Sequence, residues 1–281
     1  MAKDKVIIFF QGGLGNQLFQ FCYGLDLESR FNTKVKFSTL LLDIKFPGVT
    51  KRKYELDDLT LKSQRASKFI SLLHLIASRF RKNEVATDLN FRENRKFRYA
   101  LGYFQDYDQV DRNWNALRTR LNNSQKFKKL FIPPGGQGTY ICIHVRRGDY
   151  LNSMNARAFH GLLKFDYFLR CVSKIEQHHN FTEIRIITDE PTEVMYLVNK
   201  LENKDYKVKV VGKNEMEDLK ELVSSGALIL SNSSFSWWGG FFASKLYASD
   251  VYAPEPWVAN KNHKSVNLKP KYWFKETGEF I

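Results

Sequence analysis

The sequence predicts an α/β protein built on parallel β-sheets. Between residues 140 and 253, short apolar runs of strand length alternate with amphipathic runs of helical length, which is typical of a doubly wound parallel sheet. Residues 5–38 open the chain in the same way, with a strand, a glycine-rich loop, a helix and a second strand. A chain of 281 residues has room for one large domain or two of ordinary size.

The first half has fewer regular patterns than the second. Asp106-x-Asp108 is typical of a helix start, ahead of a helix that covers 110–121. The other elements predicted there are a strand at 5–11, a helix at 16–31, a strand at 34–38 and a helix at 64–82.

The stretch 133–138, Pro-Pro-Gly-Gly-Gln-Gly, breaks any regular element. We therefore predict two domains, 1–135 and 136–281. Pro191 suits the first turn of a helix. The second domain is predicted to contain strands at 140–145, 183–188, 206–211, 227–230 and 250–253 and helices at 165–178, 191–202, 215–225 and 235–247.

The composition excludes several classes of protein. Apolar residues make up 43% of the chain and aromatic residues 15%, which indicates a packed core and not a disordered chain. The apolar run 6–10 is too short for a signal peptide, and no run approaches the ~20 residues of a membrane span, so we expect a cytoplasmic protein. Cys22, Cys142 and Cys171 are widely spaced and are interpreted as reduced core thiols, not as zinc ligands.

Positive charge is concentrated in the first half of the chain. Residues 1–135 contain 25 Lys and Arg against 13 Asp and Glu, whereas residues 136–281 contain 19 against 17. Such a bias indicates an anionic surface or a large anionic partner. A nucleic-acid-binding protein would also be basic and rich in aromatic residues, but no nucleic-acid motif occurs here.

The segment 61–82 combines apolar residues at helical spacing with basic residues at its ends. Two interpretations stay open: a helix that lies on an anionic bilayer, or a basic-ended helix packed within the first domain. We favour packing, because it is the commoner case, and we expect His74 to be packed as well. The apolar residues are Phe69, Ile70, Leu72, Leu73, Leu75, Ile76 and Phe80, and the basic residues are Lys62, Arg65, Lys68, Arg79, Arg81 and Lys82.

The segment 140–150 is the most informative part of the chain. An apolar strand runs directly into Arg146, Arg147, a glycine and Asp149. In open α/β sheets, ligands bind at the carboxyl ends of strands, where loop amides and helix N-termini favour anions. The arginines therefore predict a phosphate-bearing ligand with Asp149 beside it, and the alternative is an internally paired surface turn.

Two further loops follow predicted strands. In the first loop, Gly13 and Gly15 allow a close backbone approach to a ligand, and Asn16 and Gln17 offer amide donors. It differs from a dinucleotide fingerprint, because Leu18 replaces the third glycine. A plain glycine turn is the alternative.

The second loop precedes the helix predicted at 235–247. Ser233 and Ser234 can cap that helix, and they can equally donate to a diphosphate. Trp237 and Trp238 are expected to be buried.

The chain resembles the bacterial α-1,2-fucosyltransferases of glycosyltransferase family 11. Three motifs carry the resemblance, in the order of the family and across nearly the whole chain. Gly-Tyr-Phe-Gln at 102–105 also looks familial, while 187–190 departs conservatively from a family stretch. The three motifs are Gly-Gly-Leu-Gly-Asn-Gln at 12–17, His-Val-Arg-Arg-Gly-Asp-Tyr at 144–150 and Ser-Asn-Ser-Ser-Phe-Ser-Trp-Trp-Gly at 231–239.

The resemblance implies a GT-B glycosyltransferase, with two Rossmann-like domains that face each other across a cleft. The second domain would hold GDP-fucose and the first domain the acceptor glycan. By position, Arg146 would bind the donor diphosphate, and Arg147 would assist or hold the loop. His144 would touch the donor or orient Arg146. In the second domain, the diphosphate site would be completed by Ser233, Ser234 and the amide of Phe235. The 12–17 loop would reach it from the opposite domain, through Gly13, Gly15, Asn16 and Gln17.

The resemblance also implies how the reaction proceeds. Asp189 would recognise guanine, with Asp218 as a second candidate. The acceptor 2-hydroxyl, on a terminal galactose, would displace GDP with inversion, and Asp149 would take the proton or brace an arginine. No metal or other cofactor is expected, and Asp106-x-Asp108 is interpreted as a helix start and not as a metal site.

Three aspects of function stay open at this stage. A different GDP-deoxysugar fits every residue named above. The acceptor glycan is hypothesised to be carried on a lipid diphosphate. The basic first half would then hold the enzyme peripherally at the inner membrane surface, and no nucleic-acid partner is expected.

Overall fold

In a computed structural model of the protein, the chain divides into two compact units. The first consists of Met1–Lys128 with Val266–Leu268, and the second of Lys129–Ser265 with Lys269–Ile281. The boundary predicted after residue 135 lies outside the described residues. The structure describes residues 5–44, 52–59, 61, 63–124, 127–128, 138–148, 151, 153–212, 214–260 and 267–281.

The first unit contains a four-stranded parallel sheet. Its strands are β1 (Lys5–Phe9), β2 (Lys34–Ser38), β3 (Val85–Ala86) and β4 (Tyr99–Ala100), and its α-helices are α1 (Leu14–Phe31), α2 (Leu40–Asp43), α3 (Lys68–Phe80), α4 (Tyr107–Arg112) and α5 (Trp114–Asn122). The strand order is β2-β1-β4-β3, and every pair is parallel. Because β1 lies between two neighbours, its residues from Val6 to Phe9 are all buried and do not alternate.

The second unit contains a six-stranded parallel sheet in the order β10-β9-β8-β5-β6-β7. Its strands are β5 (Tyr140–Val145), β6 (Glu183–Thr188), β7 (Lys207–Val211), β8 (Ala227–Ile229), β9 (Asp250–Glu255) and β10 (Phe274–Thr277). Its α-helices are α6 (Met154–His160), α7 (Phe165–Ile175), α8 (Met195–Glu202), α9 (Glu215–Ser224) and α10 (Ser234–Tyr247). The inner strands and the apolar faces of α7 and α8 form its core.

The predicted α/β class is confirmed, with one parallel sheet in each of the two units. Differences from the predicted elements have local causes. The helix expected at 64–82 begins at Lys68, because Ser67 accepts a hydrogen bond from the Ile70 amide and caps it. The first turn of the helix expected at 191–202 is a 3-10 helix, Pro191–Val194. Strands β3 and β4 are only two residues long, and β10 is an exposed edge strand without apolar alternation, so no periodicity marks them.

The interpretation of 61–82 as a helix packed by its apolar face is wrong. In α3, the buried residues are Ser71 and Ser78, while Phe69 and Phe80 are 71% and 85% exposed. His74 is half-buried against the ring of Tyr99, at 5.6 Å between centroids. The apolar side of α3 therefore points away from the unit that carries it.

Several predictions about buried residues are confirmed. Trp237 and Trp238 are fully buried. Cys22, Cys142 and Cys171 are buried and unbridged, and burial raises the pKa of each thiol well above its usual value. In the described residues, no helix is both long enough and apolar enough to cross a membrane.

Candidate functional site

The candidate site lies at the carboxyl edge of the second sheet. Following the chain from β5, strands β6 and β7 are added on one side, and β8, β9 and β10 on the other. The strand order therefore reverses between β5 and β8, and ligands of doubly wound sheets bind outside the carboxyl ends of strands at this position. Residues 144–145 are the last two of β5 and residues 146–148 follow it. Residues 230–234 connect β8 to α10.

Asp189 organises the loop after β5. Its Oδ2 lies 2.8 Å from Nη1 of Arg146, and its Oδ1 accepts a hydrogen bond of 2.8 Å from the backbone amide of Arg147. A side chain at Gly148 would place its Cβ 2.7 Å from Asp189 Oδ2, so only glycine fits there without displacing the carboxylate. One carboxylate thus holds a side chain and a backbone group of the same loop.

The two adjacent arginines occupy different environments. The Arg146 side chain is 24% exposed, whereas Arg147 is 3% exposed and its guanidinium lies 4.5 Å from the centre of the Phe165 ring. Burial lowers the pKa of Arg147, and the carboxylates of Glu193 and Asp189 oppose that shift. Arg146 is accessible to a ligand, while Arg147 holds the loop to the body of the unit.

His144 links β5 to the loop after β8. Its Nδ1 lies 2.6 Å from Oγ of Ser231, and its ring centre lies 5.8 Å from that of Phe235. Burial lowers the pKa of His144 from 6.5 to about 3; the positive charge of Arg146 adds to the shift, and Asp189 opposes it. At neutral pH the imidazole is therefore uncharged, and it positions neighbouring groups without adding positive charge.

The loop before α10 is held by its own side chains. Asn232 Nδ2 donates to the carbonyl of His160 at 2.8 Å. Ser236 Oγ donates to the carbonyls of Ser231 and Ser233, both at 3.1 Å. Ser233 caps α10 by accepting from the amide of Phe235 at 3.3 Å.

This loop leaves the start of α10 at the sheet edge. Ser233, Ser234 and Phe235 are each half-buried. The first turn of α10 contains no acidic residue. A helix of 14 residues with such an N-terminus favours an anion.

The predicted site residues in the second unit come together to different extents. Arg146, Arg147 and Asp189 are joined by direct contacts, and His144 contacts Ser231 and Phe235. Asp149 lies outside the described residues. The Asp189 carboxylate contacts the Arg146 side chain and the Arg147 amide, so it positions the loop after β5, and its predicted contact with guanine stays a prediction.

Asp218 is the other predicted guanine contact. It is half-buried in the first turn of α9, and its Oδ1 lies 4.0 Å from the position that a Cβ at Gly212 would take. Gly212 follows β7 directly, so Asp218 faces the same carboxyl edge of the sheet.

The glycine loop belongs to the first unit and follows β1. Gly12 has φ +77°, a left-handed conformation that favours glycine, and Gly13 precedes α1 with extended backbone. Gln17 is fully buried: its amide donates to the carbonyls of Gly12 at 3.0 Å and Lys53 at 2.8 Å, and its oxygen accepts from the Glu55 amide at 2.9 Å.

Asn16 and Gly15 complete this loop. Asn16 Oδ1 accepts from Gln105 Nε2 at 2.8 Å, and Asn16 is half-buried, whereas Gly15 is buried. The side chain of Gln17 therefore builds the loop, and of the four residues predicted to contact a ligand there, Gly13 and Asn16 are the accessible ones.

Sequence reasoning missed the supporting residues of both loops. Gln20 donates to the Gly102 carbonyl at 2.9 Å and ties α1 to the segment after β4. Ser231 and Asn232 stand inside a motif that the sequence singled out, but nothing in their types distinguishes a buried support from a ligand donor. Phe165 lies far from Arg147 in sequence and carries no signal.

The acidic pair at 106 and 108 has a structural role. Asp106 caps α4 by accepting from the Gln109 amide at 2.9 Å, as expected for a helix start, and it pairs with Arg92. Asp108 Oδ2 accepts from Asn267 Nδ2 at 2.7 Å. Within the described ranges, no group of three or more His, Cys, Asp or Glu side chains is placed to hold a metal ion.

Comparisons with known proteins give consistent results. Residues 81–274 match the family model described as glycosyl transferase family 11. An alpha-1,2-colitosyltransferase of Escherichia coli is 23% identical over 299 residues, covering 95% of this chain and 97% of that protein. The O-antigen biosynthesis glycosyltransferase WbnK of Escherichia coli is 26% identical over 306 residues, covering 92% and 96%.

Among solved structures, the fucosyltransferase NodZ from Bradyrhizobium is similar, with a TM-score of 0.44 and 12% identity. That comparison covers 88% of this chain and 94% of the NodZ chain.

Proposed function

The chain belongs to glycosyl transferase family 11, and from this premise we propose that it transfers L-fucose from GDP-β-L-fucose to the 2-hydroxyl of a terminal galactose in an acceptor glycan. Glycosyl transfer follows from the family. The identity of the sugar, the acceptor and the linkage belongs to the proposal.

One observation carries the proposal to specific residues. Arg146 is held by Asp189 and accessible at the reversal of strand order, at the same sheet edge as the N-terminus of α10. A guanidinium and a helix N-terminus at the same sheet edge suit a diphosphate, because both present N–H donors and positive charge to phosphate oxygens. The half-buried Ser233 and Ser234 add hydroxyl donors to the same position.

We propose the following chemistry. The acceptor oxygen attacks the anomeric carbon on the face opposite GDP, so the β-linked donor gives an α-linked product. Negative charge grows on the departing diphosphate, and Arg146 and the amides at the start of α10 stabilise it. No metal ion takes part in this scheme. The proton of the acceptor hydroxyl passes to a carboxylate, for which Asp149 is the candidate.

The proposal gives the other site residues supporting roles. His144 and Asp189 position the donor loops through the bonds described above, and Arg147 anchors the loop. In the first unit, the proposed donor contacts are Gly13 and Asn16, with Gly15 and Gln17 shaping the backbone of their loop. Base recognition by Asp189 or Asp218 is tested below.

A second candidate donor has its own support. One relative is named an alpha-1,2-colitosyltransferase, and colitose is a deoxysugar that lacks the 3-hydroxyl group of fucose. A GDP-colitose donor would use the same diphosphate contacts. The two donors differ only where the sugar ring lies, so binding of GDP cannot distinguish them and transfer must be measured.

The proposal includes the setting of the reaction. The acceptor is a growing glycan on a lipid diphosphate, and the enzyme works in the cytoplasm at the inner membrane surface. The relative named for O-antigen biosynthesis supports such an acceptor. The basic first half, with 25 Lys and Arg against 13 Asp and Glu, supports contact with anionic lipid.

The decisive experiment is mass-spectrometric detection of transfer. GDP-fucose and GDP-colitose are each offered with galactose-terminated acceptors, with and without EDTA, to the wild type and to Arg146→Ala. We expect fucosylated product that survives EDTA and falls at least about a hundredfold in the variant, as for loss of a charge-stabilising donor. Product with GDP-colitose alone would replace fucose by colitose, and loss of product in EDTA would contradict the metal-free scheme.

A further inference from the structure

Helix α3 carries an apolar surface that the first unit does not cover. Its members are separated by three or four residues, so they form one stripe along the helix, about 100° wide. All five are exposed. This set, here called the α3 stripe, consists of Phe69, Leu72, Leu73, Ile76 and Phe80.

The orientation of α3 is the reverse of that expected for a surface helix. The residues that face the unit are Ser71, which is 1% exposed, and Ser78. Ser78 Oγ donates to the carbonyl of Leu75 at 2.7 Å, which satisfies its hydroxyl within the helix. The helix thus packs through its small hydroxyl residues and turns its large apolar side chains outward.

The stripe is concentrated and not part of a general pattern. Of the 17 large apolar side chains that are exposed in the described chain, six lie in the 13 residues of α3, the sixth being Ile70. Single exposed apolar residues are ordinary, but a continuous apolar patch on a monomer marks a surface that contacts something else.

Charge identifies the partner. Residues 59–83 contain six Lys and Arg and no Asp or Glu. Lys68 and Arg79 lie next to the stripe on the helical wheel, and Arg81 and Lys82 follow its end. In the described part of the chain, Arg79 and Lys82 pair with no carboxylate, so their charge is available to an anionic partner.

We propose that the α3 stripe docks the protein onto an anionic lipid bilayer, with the helix lying in the interface. Its aromatic and aliphatic side chains would enter the boundary between headgroups and acyl chains, while the flanking basic residues contact lipid phosphates. A second copy of the chain fits this surface less well, because joining two stripes would bring the positive charges of Arg79 and Lys82 from both copies together.

The inference extends the proposed function, since it assigns the membrane contact to particular residues, but it does not depend on the reaction. The test uses the full chain and flotation with vesicles. The vesicles contain phosphatidylcholine alone or phosphatidylcholine with an equal amount of phosphatidylglycerol. The stripe variant is Phe69→Gln with Phe80→Gln, and the matched control is Leu89→Gln, since Leu89 is 97% exposed in the same unit but outside α3.

We expect the wild type and L89Q to float with anionic vesicles. The partition coefficient of the stripe variant onto these vesicles should be lower by about tenfold or more, because two exposed phenylalanines no longer enter the bilayer. Arg79→Gln with Lys82→Gln should also reduce binding about tenfold, and ~0.5 M salt should weaken binding of the wild type. Because all four residues are exposed, thermal unfolding should be unchanged in these variants.

Two results would overturn the inference. The first is failure of the stripe to matter for flotation: either the wild type does not float with anionic vesicles, or the stripe variant floats as well as the wild type. The other is a wild type that forms dimers in sedimentation velocity, without floating, and a stripe variant that is monomeric; the stripe would then be an interface between copies. Transfer to a soluble acceptor should be the same in the wild type and the stripe variant. Absence of transfer in both would contradict the proposed function alone.

Discussion

Two carboxylate oxygens decide how the loop after β5 is arranged. Asp189 uses one for the Arg147 amide and the other for the Arg146 side chain. A guanidinium held in this way loses less freedom on binding a phosphate than one that is disordered in solvent. Gly148 leaves room for this arrangement, since a side chain there would meet Asp189 Oδ2.

Replacement of Asp189 by Asn tests this positioning role. We expect D189N to bind GDP about tenfold less tightly or weaker, because a charge-assisted bond to Arg146 is lost. If Asp189 only positions Arg146, affinity for GDP and for ADP should fall in parallel in calorimetric titration. A loss confined to GDP would instead establish guanine recognition by Asp189. D218N tests the second candidate in the same way: a loss of affinity for GDP but not for ADP would establish guanine recognition by Asp218.

His144 should make stability depend on pH. Its pKa is about 3 in the folded protein and 6.5 as an ordinary value, so between these values the unfolded chain binds a proton that the folded chain does not. Stability from this group is therefore complete above pH 6.5 and is lost as pH falls toward 3, by about 1.4 kcal/mol per pH unit.

Denaturant unfolding at pH 7, 6, 5 and 4 measures this slope for the wild type and for His144→Gln. The variant cannot titrate there, so its stability should fall less steeply below pH 6. Equal slopes in the two proteins would show that His144 is not held neutral in the folded state.

At the scale of elements, α10 combines a cap with the N-terminus that we propose to bind a diphosphate. Ser233 accepts from the Phe235 amide, and Ser236 bonds back to the carbonyls of the same loop. The buried tryptophans at 237 and 238 fix the following turn in the core. The helix start is rigid for these reasons, which is what a site that stabilises developing charge requires.

Replacement of Ser233 by Ala should lower the free energy of unfolding by about 1 kcal/mol, since the cap of α10 is lost. The matched control is Ser234→Ala, which changes the adjacent first residue of the helix and removes no cap. Chemical denaturation measures both. Equal stability of S233A and the wild type would contradict a stabilising role of this cap.

The elements also show how far the chain pattern determines local structure. Strands β2, β5 and β6 begin and end at the predicted residues. Their apolar residues form continuous or alternating patterns of strand length, which can be recognised without tertiary information. In contrast, β3 and β4 have two residues each, and only pairing with β1 or with each other gives them an extended conformation.

At the scale of the whole molecule, nucleotide binding should stabilise the fold. A ligand that binds only the folded state adds about 2.7 kcal/mol at a concentration one hundred times its Kd. We therefore expect GDP to raise the unfolding temperature of the wild type and to have little effect on Arg146→Ala. Because Arg146 is partly exposed, the variant without ligand should unfold near the temperature of the wild type. Differential scanning fluorimetry gives both values, and no shift with GDP in the wild type would argue against a nucleotide site.

The candidate site shows what residue types can and cannot predict. Arg146 and the serines before α10 were predicted as ligand groups, because their types and positions after strands indicate anion binding. The same reasoning could not tell Arg146 from Arg147, nor identify Gln17 as a buried support. A ligand group differs from a buried support in how far its side chain is exposed. Exposure depends on contacts such as that of Arg147 with Phe165.

The sequence by itself determined the α/β class, the alternation of strands and helices, and the family, because these depend on short-range patterns of apolar, glycine and charged residues. Only the tertiary structure decided which polar residues are accessible and which face of α3 meets the unit. Those outcomes depend on packing between distant segments. In α3, the unit accepts Ser71 and Ser78 and leaves the apolar stripe outside, whereas helical periodicity alone is the same for either orientation.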